Sequence, residues 1–436
     1  MKIFFINDST SNPNWGDRAA AISLMAMIEE VGGQIVGSLT EHDLGTSALG
    51  QQRPPRFDRE GGRQARDVLR LIVPPIIPKA ARRWLPPLAS FPAGKHIPER
   101  WEDFDAALKA VLGEEGVWAE LLGAMDASEL VLIHGDGAMV GSGVIPRTDL
   151  FLSYVAKVGL GKPVAIVNHT ADFDHPVLRE MAHNVYPRLD DVVFRDPVSL
   201  DRCSAFCSGE VAPDTAFLFQ PAEGDRWVSI ASRPTYFDVW PDAAAFDPGA
   251  PYVCIGGSSI FGGQANRGAL VKAYTELVDR LSSGYEGQIV LTVSDVVDQA
   301  IFRPVAERSG VPLIGLATPV QQAVDIMGNA EAYIGGRWHP SIFALRGGAP
   351  VVPLSSKTFK MEALMKMAGL ADQALDALQL DAMLPHLLKR LDVYLEQGQG
   401  LRRELRAWGE QQSLAARRHV AYIAERRNEG RPRTKV

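Results

Sequence analysis

The chain has 436 residues, of which 46% are hydrophobic and 22% charged, with a formal net charge of −7. That length exceeds one ordinary core and points to two domains, and the acidic balance speaks against a nucleic-acid binder. The three cysteines, Cys203, Cys207 and Cys254, have no histidine cluster nearby. They make neither a disulfide framework nor a zinc site and suit buried thiols in a reducing compartment.

Met1 to Ile6 holds one lysine and a short apolar run before Asn7-Asp8. It is too short for a secretory signal and reads as a first strand. No stretch approaches the roughly 20 apolar residues that span a bilayer, so the expected workplace is the cytoplasm. A polar loop through Asp17 leads into a helix expected from Ala19 to Val31, stopped by Gly32-Gly33.

From Arg53 to Arg100 eleven basic residues face four acidic ones, interleaved with apolar side chains and prolines. This basic, proline-rich insertion (50–100) reads as a partly ordered, solvated segment, or as a surface for peripheral contact with the inner face of a membrane.

Strand-like apolar runs follow at Leu130–Ile133, Pro163–Val167 and Val192–Phe194, then at Tyr252–Ile255, Ile289–Val293 and Ala332–Ile334, with helical stretches between. The alternation implies an α/β fold with parallel sheets: two Rossmann-like domains and a central cleft beyond the carboxyl ends of the strands. The first domain is expected over 1–220, with a linker over 221–250 rich in Pro, Asp and Gly. The second domain follows over 251–370, and a helical C-terminal extension with a basic tail over 371–436.

The polar motifs cluster just past these strands. Gly335-Gly336-Arg337-Trp338-His339-Pro340-Ser341 places Pro340 in the first turn of a helix that stops at Gly347-Gly348. Such a helix start offers unpaired N–H groups and a positive dipole end, with Arg337 as a cationic fork and Ser341 close by. His339 at that point is a candidate acid/base group. Lys357 and Lys360 follow the next apolar run and are candidate anion contacts. In the first half, Asn14-Trp15-Gly16-Asp17-Arg18 forms a glycine-assisted loop at a helix start, with Asp17 a candidate ligand contact or simply an N-cap. His134-Gly135-Asp136-Gly137 offers His134 or Asp136 as general base on an acceptor hydroxyl. Arg195 at a strand end is a candidate anion contact, with His169 and Asp214 weaker candidates of the same kind. Phosphate-loop, nucleophile-elbow and metal-ligand spacings are missing, so no metal or nucleotide cofactor is expected.

Together these stretches resemble the polysaccharide pyruvyl transferase family. The carriers are Ile6-Asn7-Asp8 with Asn14-Trp15-Gly16-Asp17, Leu132 to Gly137, Gly161-Lys162-Pro163-Val164, Phe194 to Ser199 and Ala212-Pro213-Asp214. Gly336 to Ala344, with Gly348 to Val352 and Lys357, completes the set. The resemblance covers Met1 to about Leu44 and roughly Leu130 to Leu370. It implies a GT-B-like fold, phosphoenolpyruvate as donor substrate, and a sugar or lipid-linked oligosaccharide as acceptor, yielding a pyruvate ketal. It also implies that His339 is the catalytic acid/base, with Arg195 and Arg337 holding the donor. The His134-Gly135-Asp136 turn departs from the commoner family form, which has Asn and Glu.

Two other readings share the architecture. A nucleotide-sugar glycosyltransferase would use the same helix start for its diphosphate, yet no carboxylate follows Ser341 until Glu362. A non-catalytic glycan-pathway binding protein would keep the fold without matched charges, whereas His339, Arg337 and Arg195 are all present.

Overall fold

The structure is a computed structural model that describes residues 1–40, 96–233, 246–262, 266–370 and 373–429. By contacts the chain divides into two units. Met1–Ser11, Ala20–Thr215 and Ala415–Val436 make the first; Asn12–Ala19 and Ala216–Leu414 make the second. Two segments therefore count with a unit from which they are distant in sequence. The start of the first helix goes with the second unit, and the end of the chain with the first.

In the first unit β1 (Lys2–Asp8), β2 (Gln34–Thr40), β3 (Leu130–Asp136), β4 (Val164–His169), β5 (Asp191–Phe194) and β6 (Glu210–Val211) form one sheet, ordered β2-β1-β3-β4-β5-β6. Every pairing in it is parallel. β3 and β4 are buried along their whole length, which is why both read as continuous apolar runs without alternation. Phe151 of the helix Val144–Tyr154, with Leu178 and Met181 of the helix Pro176–Val185, packs into the same core as Phe4, Ile133 and Ile166.

The returning C-terminal segment is tied into this unit by buried His419. Its Nδ1 accepts the backbone N–H of Asn168 at 3.2 Å, and its Nε2 lies 3.0 Å from the carbonyl of Pro213. Since an amide N–H only donates, the ring proton sits on Nε2.

In the second unit β7 (Tyr252–Ser258), β8 (Gln288–Thr292), β9 (Leu313–Ile314), β10 (Ala332–Gly336) and β11 (Val351–Pro353) form a parallel sheet, ordered β11-β10-β7-β8-β9. Val253, Ile255, Val290, Ile334 and Val352 build its core. The helices Val320–Asn329 and Trp338–Arg346 meet backbone to backbone: a Cβ on Gly347 would lie 2.2 Å from the Cα of Gly328. The long helix Leu380–Ala415 breaks at Gly398, whose φ of 50° and ψ of −132° lie outside the helical region. Just past the break, Arg402 donates to the carbonyls of Ala330 and Gly328, which satisfies the end of the helix Val320–Asn329.

The strands expected from apolar runs are present, each within a residue or two at its start; β8 stops one residue early, at Thr292, and the others reach up to three residues farther at their carboxyl ends. β2 and the two-residue β6 and β9 carried no such signal. The first helix starts at Trp15, four residues before Ala19, because the Asn14 side chain accepts the N–H of Gly16 and opens the helix early. Within 221–250 the chain forms the helix Gly224–Ala231, anchored where the N–H of Ala222 donates to Asp325 at 2.7 Å. Of the basic insertion, all but residues 96–100 lies outside the described residues. Among the described residues no helix is long and apolar enough to cross a membrane.

Candidate active site

In the second unit the site residues gather past the carboxyl ends of the strands. β10 ends at Gly336, where a Cβ would stand 2.6 Å from Ser258 Oγ and 2.7 Å from the Ser355 carbonyl. Arg337 is still extended and the helix begins at Trp338, so His339 occupies its first turn.

His339 is almost fully buried against the loop that opens the first helix. That loop is shaped by its own asparagines: Asn12 accepts the N–H of Asn14 at 2.8 Å, and Asn14 accepts that of Gly16 at 2.9 Å. The backbone at Gly16 lies against the imidazole so closely that a Cβ there would fall 2.0 Å from Nδ1. Asp17 follows, with Oδ1 3.6 Å from His339 Nδ1 and Oδ2 3.3 Å from Asn12 Nδ2. Capping of this helix thus falls to Asn14, and Asp17 faces the histidine. A carboxylate beside one ring nitrogen orients an imidazole, as positioning a proton donor requires.

Arg337 is held rigidly. Its Nε and Nη2 donate to the two oxygens of Asp298, at 3.1 and 2.7 Å, and Nη1 donates to Asp295 at 3.0 Å. Gly257 on β7 leaves the room for this pairing, because a Cβ there would lie 2.0 Å from Asp298 Oδ1. Burial pushes the Asp298 carboxyl up to about 6 against the pull of Arg337. Burial also works against the guanidinium charge, but the two aspartates outweigh it and hold Arg337 above its ordinary range. Three of five donor positions are therefore taken, and the fork carries two acids of its own.

Ser341 turns inward: its hydroxyl donates to the Arg337 carbonyl at 2.8 Å and backs up the helix. Lys357 is exposed, with its N–H donating to Ser259 Oγ at 3.1 Å and its Nζ 3.4 Å from where a Cβ on Gly262 would stand. Lys360 begins the helix Lys360–Met367 and is half-buried.

In the first unit the structure joins Asp136 and Arg195. Buried Arg195 donates from Nη1 to Asp136 and, at 2.9 Å, to Asp214, and from Nε to Thr170 Oγ1 at 2.9 Å. Burial opposes its charge, and Asp136, Asp214 and Asp196 together keep it above its ordinary range. Asp196 itself caps the helix Pro197–Cys203 through the N–H of Ser199 at 2.8 Å.

His134 is wholly buried. Asn168 accepts the N–H of Thr215 through Oδ1, so its Nδ2 is the donor that lies 3.0 Å from His134 Nε2. The Nε2 lone pair of His134 is thereby engaged, which makes it a structural partner of Asn168 and leaves Asp136 as the base candidate of that turn. His169, buried and 3.0 Å from the Tyr186 hydroxyl, is pushed down to about 3 by burial, and more weakly by Arg195, and is held neutral.

Among the described residues three non-glycine ones adopt positive φ, and all stand at carboxyl ends of this sheet: Asn7 (68°) on β1, Asp136 (42°) on β3 and Asn168 (55°) on β4. Backbone strain gathered at strand ends marks a functional region. Sequence reasoning did not single out Asn168, Thr170, Asp295 or Asp298, and Asn7 entered only as a carrier of the family likeness. The tolerance of asparagine for positive φ was the available hint for the two asparagines.

Two parallel-sheet units with helices on their faces, a helical C-terminal extension and polar groups past the strand ends define a GT-B-like α/β protein. Solved structures agree. A UDP-GlcNAc 2-epimerase from Neisseria meningitidis bound to UDP-GlcNAc matches with a TM-score of 0.54 at 12% identity, over 98% of this chain and 100% of that one. MnaA of S. aureus in complex with UDP gives 0.54 at 13% identity, over 99% and 98%. The spinosyn rhamnosyltransferase SpnG gives 0.50 at 13%, over 98% and 100%. At such identities the likeness is one of fold.

The family model of polysaccharide pyruvyl transferase matches residues 70–358, more than half of the sequence, and the chain belongs to that family. The match takes in His134, Asp136, Arg195, Arg337, His339, Ser341 and Lys357, and leaves Asn14, Gly16, Asp17 and Lys360 outside. It begins at residue 70, within the segment read from sequence as an insertion. No curated protein matches the chain in sequence.

Proposed function

We propose that this protein transfers the pyruvyl group of phosphoenolpyruvate to two hydroxyls of a sugar, in a polysaccharide or its lipid-linked precursor, as a cyclic ketal. The observation that carries the reading, within a family named for pyruvyl transfer, is an imidazole in the first turn of the helix after β10, held between the Gly16 backbone and the Asp17 carboxylate.

In this reading His339 delivers a proton to the methylene carbon of the enol phosphate, leaving an oxocarbenium-like centre beside the phosphate oxygen. One sugar hydroxyl adds to that centre and gives its proton to a base, for which Asp136 is the candidate. The second hydroxyl then displaces inorganic phosphate, and its proton leaves with the phosphate. The enol phosphate and the diol thus become one ketal and one phosphate, and neither oxidant nor reductant takes part. Arg337, fixed by Asp298 and Asp295, contributes aimed N–H donors to the donor's anionic groups.

The test is phosphate release from phosphoenolpyruvate in the presence of nitrophenyl glycosides and lipid-linked sugars, with mass spectrometry of the acceptor. A ketal adduct supports the reading. If nucleotide sugars raise the melting temperature and phosphoenolpyruvate neither does so nor loses phosphate, the protein is a glycosyltransferase instead.

A further inference from the structure

The arginine best placed to receive an anion in the second unit is one that neither motif spacing nor family likeness singled out. Arg18 follows Asp17 in the first helix and is 4% exposed. Among the described residues its guanidinium has no salt bridge. One donor, Nη2, reaches the Thr318 carbonyl at 3.3 Å, and buried Nε has no hydrogen-bond partner. Beside it Thr318, fully buried in the loop after β9, has a hydroxyl that is likewise without a partner. Burial lowers the Arg18 guanidinium to about 10, and among the described residues the charge opposing that shift is Asp17.

A buried cation without a counter-ion destabilises a folded protein, and an unsatisfied hydroxyl next to it adds to the cost. Natural chains keep such an arrangement where a ligand completes it. The contrast with Arg337 sharpens the point. That guanidinium already answers to Asp298 and Asp295, so its surroundings carry a net negative charge once both are ionised. Arg18 has a single acid in its neighbourhood, and Asp17 is itself turned toward Asn12 and His339.

We infer that Arg18 and Thr318 form an oxyanion-recognition pair, in which Arg18 Nε and the Thr318 hydroxyl take a carboxylate or phosphate oxygen of the substrate whose chemistry His339 performs. The inference rests on the function proposed above for the identity of that substrate, and on this unit's geometry alone for the binding of an anion.

The test uses the full chain at pH 7.5 and low ionic strength, with inorganic phosphate and phosphoenolpyruvate as separate probes. Both are expected to raise the melting temperature of the wild type. Arg18→Met, close in shape and uncharged, is expected to melt no lower than wild type without ligand, because it removes a buried charge that has no salt bridge among the described residues. It should also lose at least tenfold in affinity for each probe. Arg18→Lys should recover part of that affinity, and Thr318→Val should weaken it several-fold with little change in the unliganded melt. In turnover, the KM for phosphoenolpyruvate should rise at least tenfold in Arg18→Met, more than kcat falls.

The pair has no ligand role if Arg18→Met binds both probes as the wild type does, or if neither probe stabilises the wild type. A purely structural arginine would show itself as a lower unliganded melt in Arg18→Met with anion affinity intact in Arg18→Lys and Thr318→Val. If the wild type binds phosphate through Arg18 yet never releases it from phosphoenolpyruvate, the anion site stands and the pyruvyl-transfer reading falls.

Discussion

Gly16 and His339 touch: the hydrogen on the Gly16 Cα points at the imidazole, and a methyl group in its place would lie 2.0 Å from Nδ1. The contact turns a residue that looks like loop punctuation into a determinant of where the histidine stands. Gly16→Ala should push the ring off Asp17, with phosphate release from phosphoenolpyruvate falling by about 10²-fold and stability by about 1–3 kcal/mol. Steady-state kinetics beside a thermal melt check this, and a fully active Gly16→Ala enzyme would show that the ring's position is immaterial.

His339→Ala should lower turnover by roughly 10²–10⁴-fold while phosphoenolpyruvate still stabilises the protein. Asp17→Asn keeps the shape and removes the charge facing Nδ1, so the alkaline limb of the pH–rate profile, where a general acid loses its proton, should move to lower pH while donor affinity changes little. Rates measured from pH 5.5 to 9 decide both, and an unmoved profile in Asp17→Asn would remove Asp17 from proton transfer.

Asp298 is a positioning residue with a stability signature. Asp298→Ala leaves the buried guanidinium of Arg337 with Asp295 alone and should cost about 3–5 kcal/mol. Asp298→Asn retains one hydrogen bond to the fork and should fold. Its weakened grip should raise the KM for phosphoenolpyruvate more than it lowers kcat. Chemical denaturation and kinetics of the two variants provide the comparison.

The buried histidines of the first unit predict acid sensitivity. His169 and His419 are held neutral, with pKa values pushed to about 3 and about 4, chiefly by burial, whereas in the unfolded chain they take up protons near 6.5. Their stabilising effect is present above pH 6.5 and is lost as pH falls toward 4, by about 1.4 kcal/mol per pH unit for each histidine. Asp191 and Asp298, each raised to about 6 by burial, work the other way between 6 and their unfolded value near 3.8 and offset the two histidines there. The melting temperature should drop as pH falls from 7.5 to about 6 and level off below, and His419→Gln should lessen that drop while melting lower at pH 7.5. An equally steep slope in the variant would rule His419 out as a source.

What could be read from the sequence follows from how far each signal travels along the chain. β3, β4, β7 and β10 announce themselves because burial on both faces demands continuous apolar runs, and Gly347 ends its helix by local chemistry alone. His339, Arg337, Arg195 and Asp136 were legible because strand end, glycine and helix start lie within a few residues of each other. The partners were not. Asp298 sits 39 residues before Arg337, and Thr318 is 300 residues from Arg18. A carboxylate in the first turn of a helix looks the same in sequence whether it caps, is solvated or holds a guanidinium. The bond from the Ser341 hydroxyl to the Arg337 carbonyl, within one helix turn, was not foretold either.

The hydrogen bond from Asn168 to His419 has a consequence for how the protein is made. Its donor lies in an inner strand of the first sheet, and its acceptor comes later in the chain than every strand of the second sheet. A nascent chain can therefore assemble the second sheet while the first still lacks a piece of its interior, and the earlier-made half closes only around this later segment. Deleting the segment that carries His419 should for that reason harm the amino-terminal sheet first.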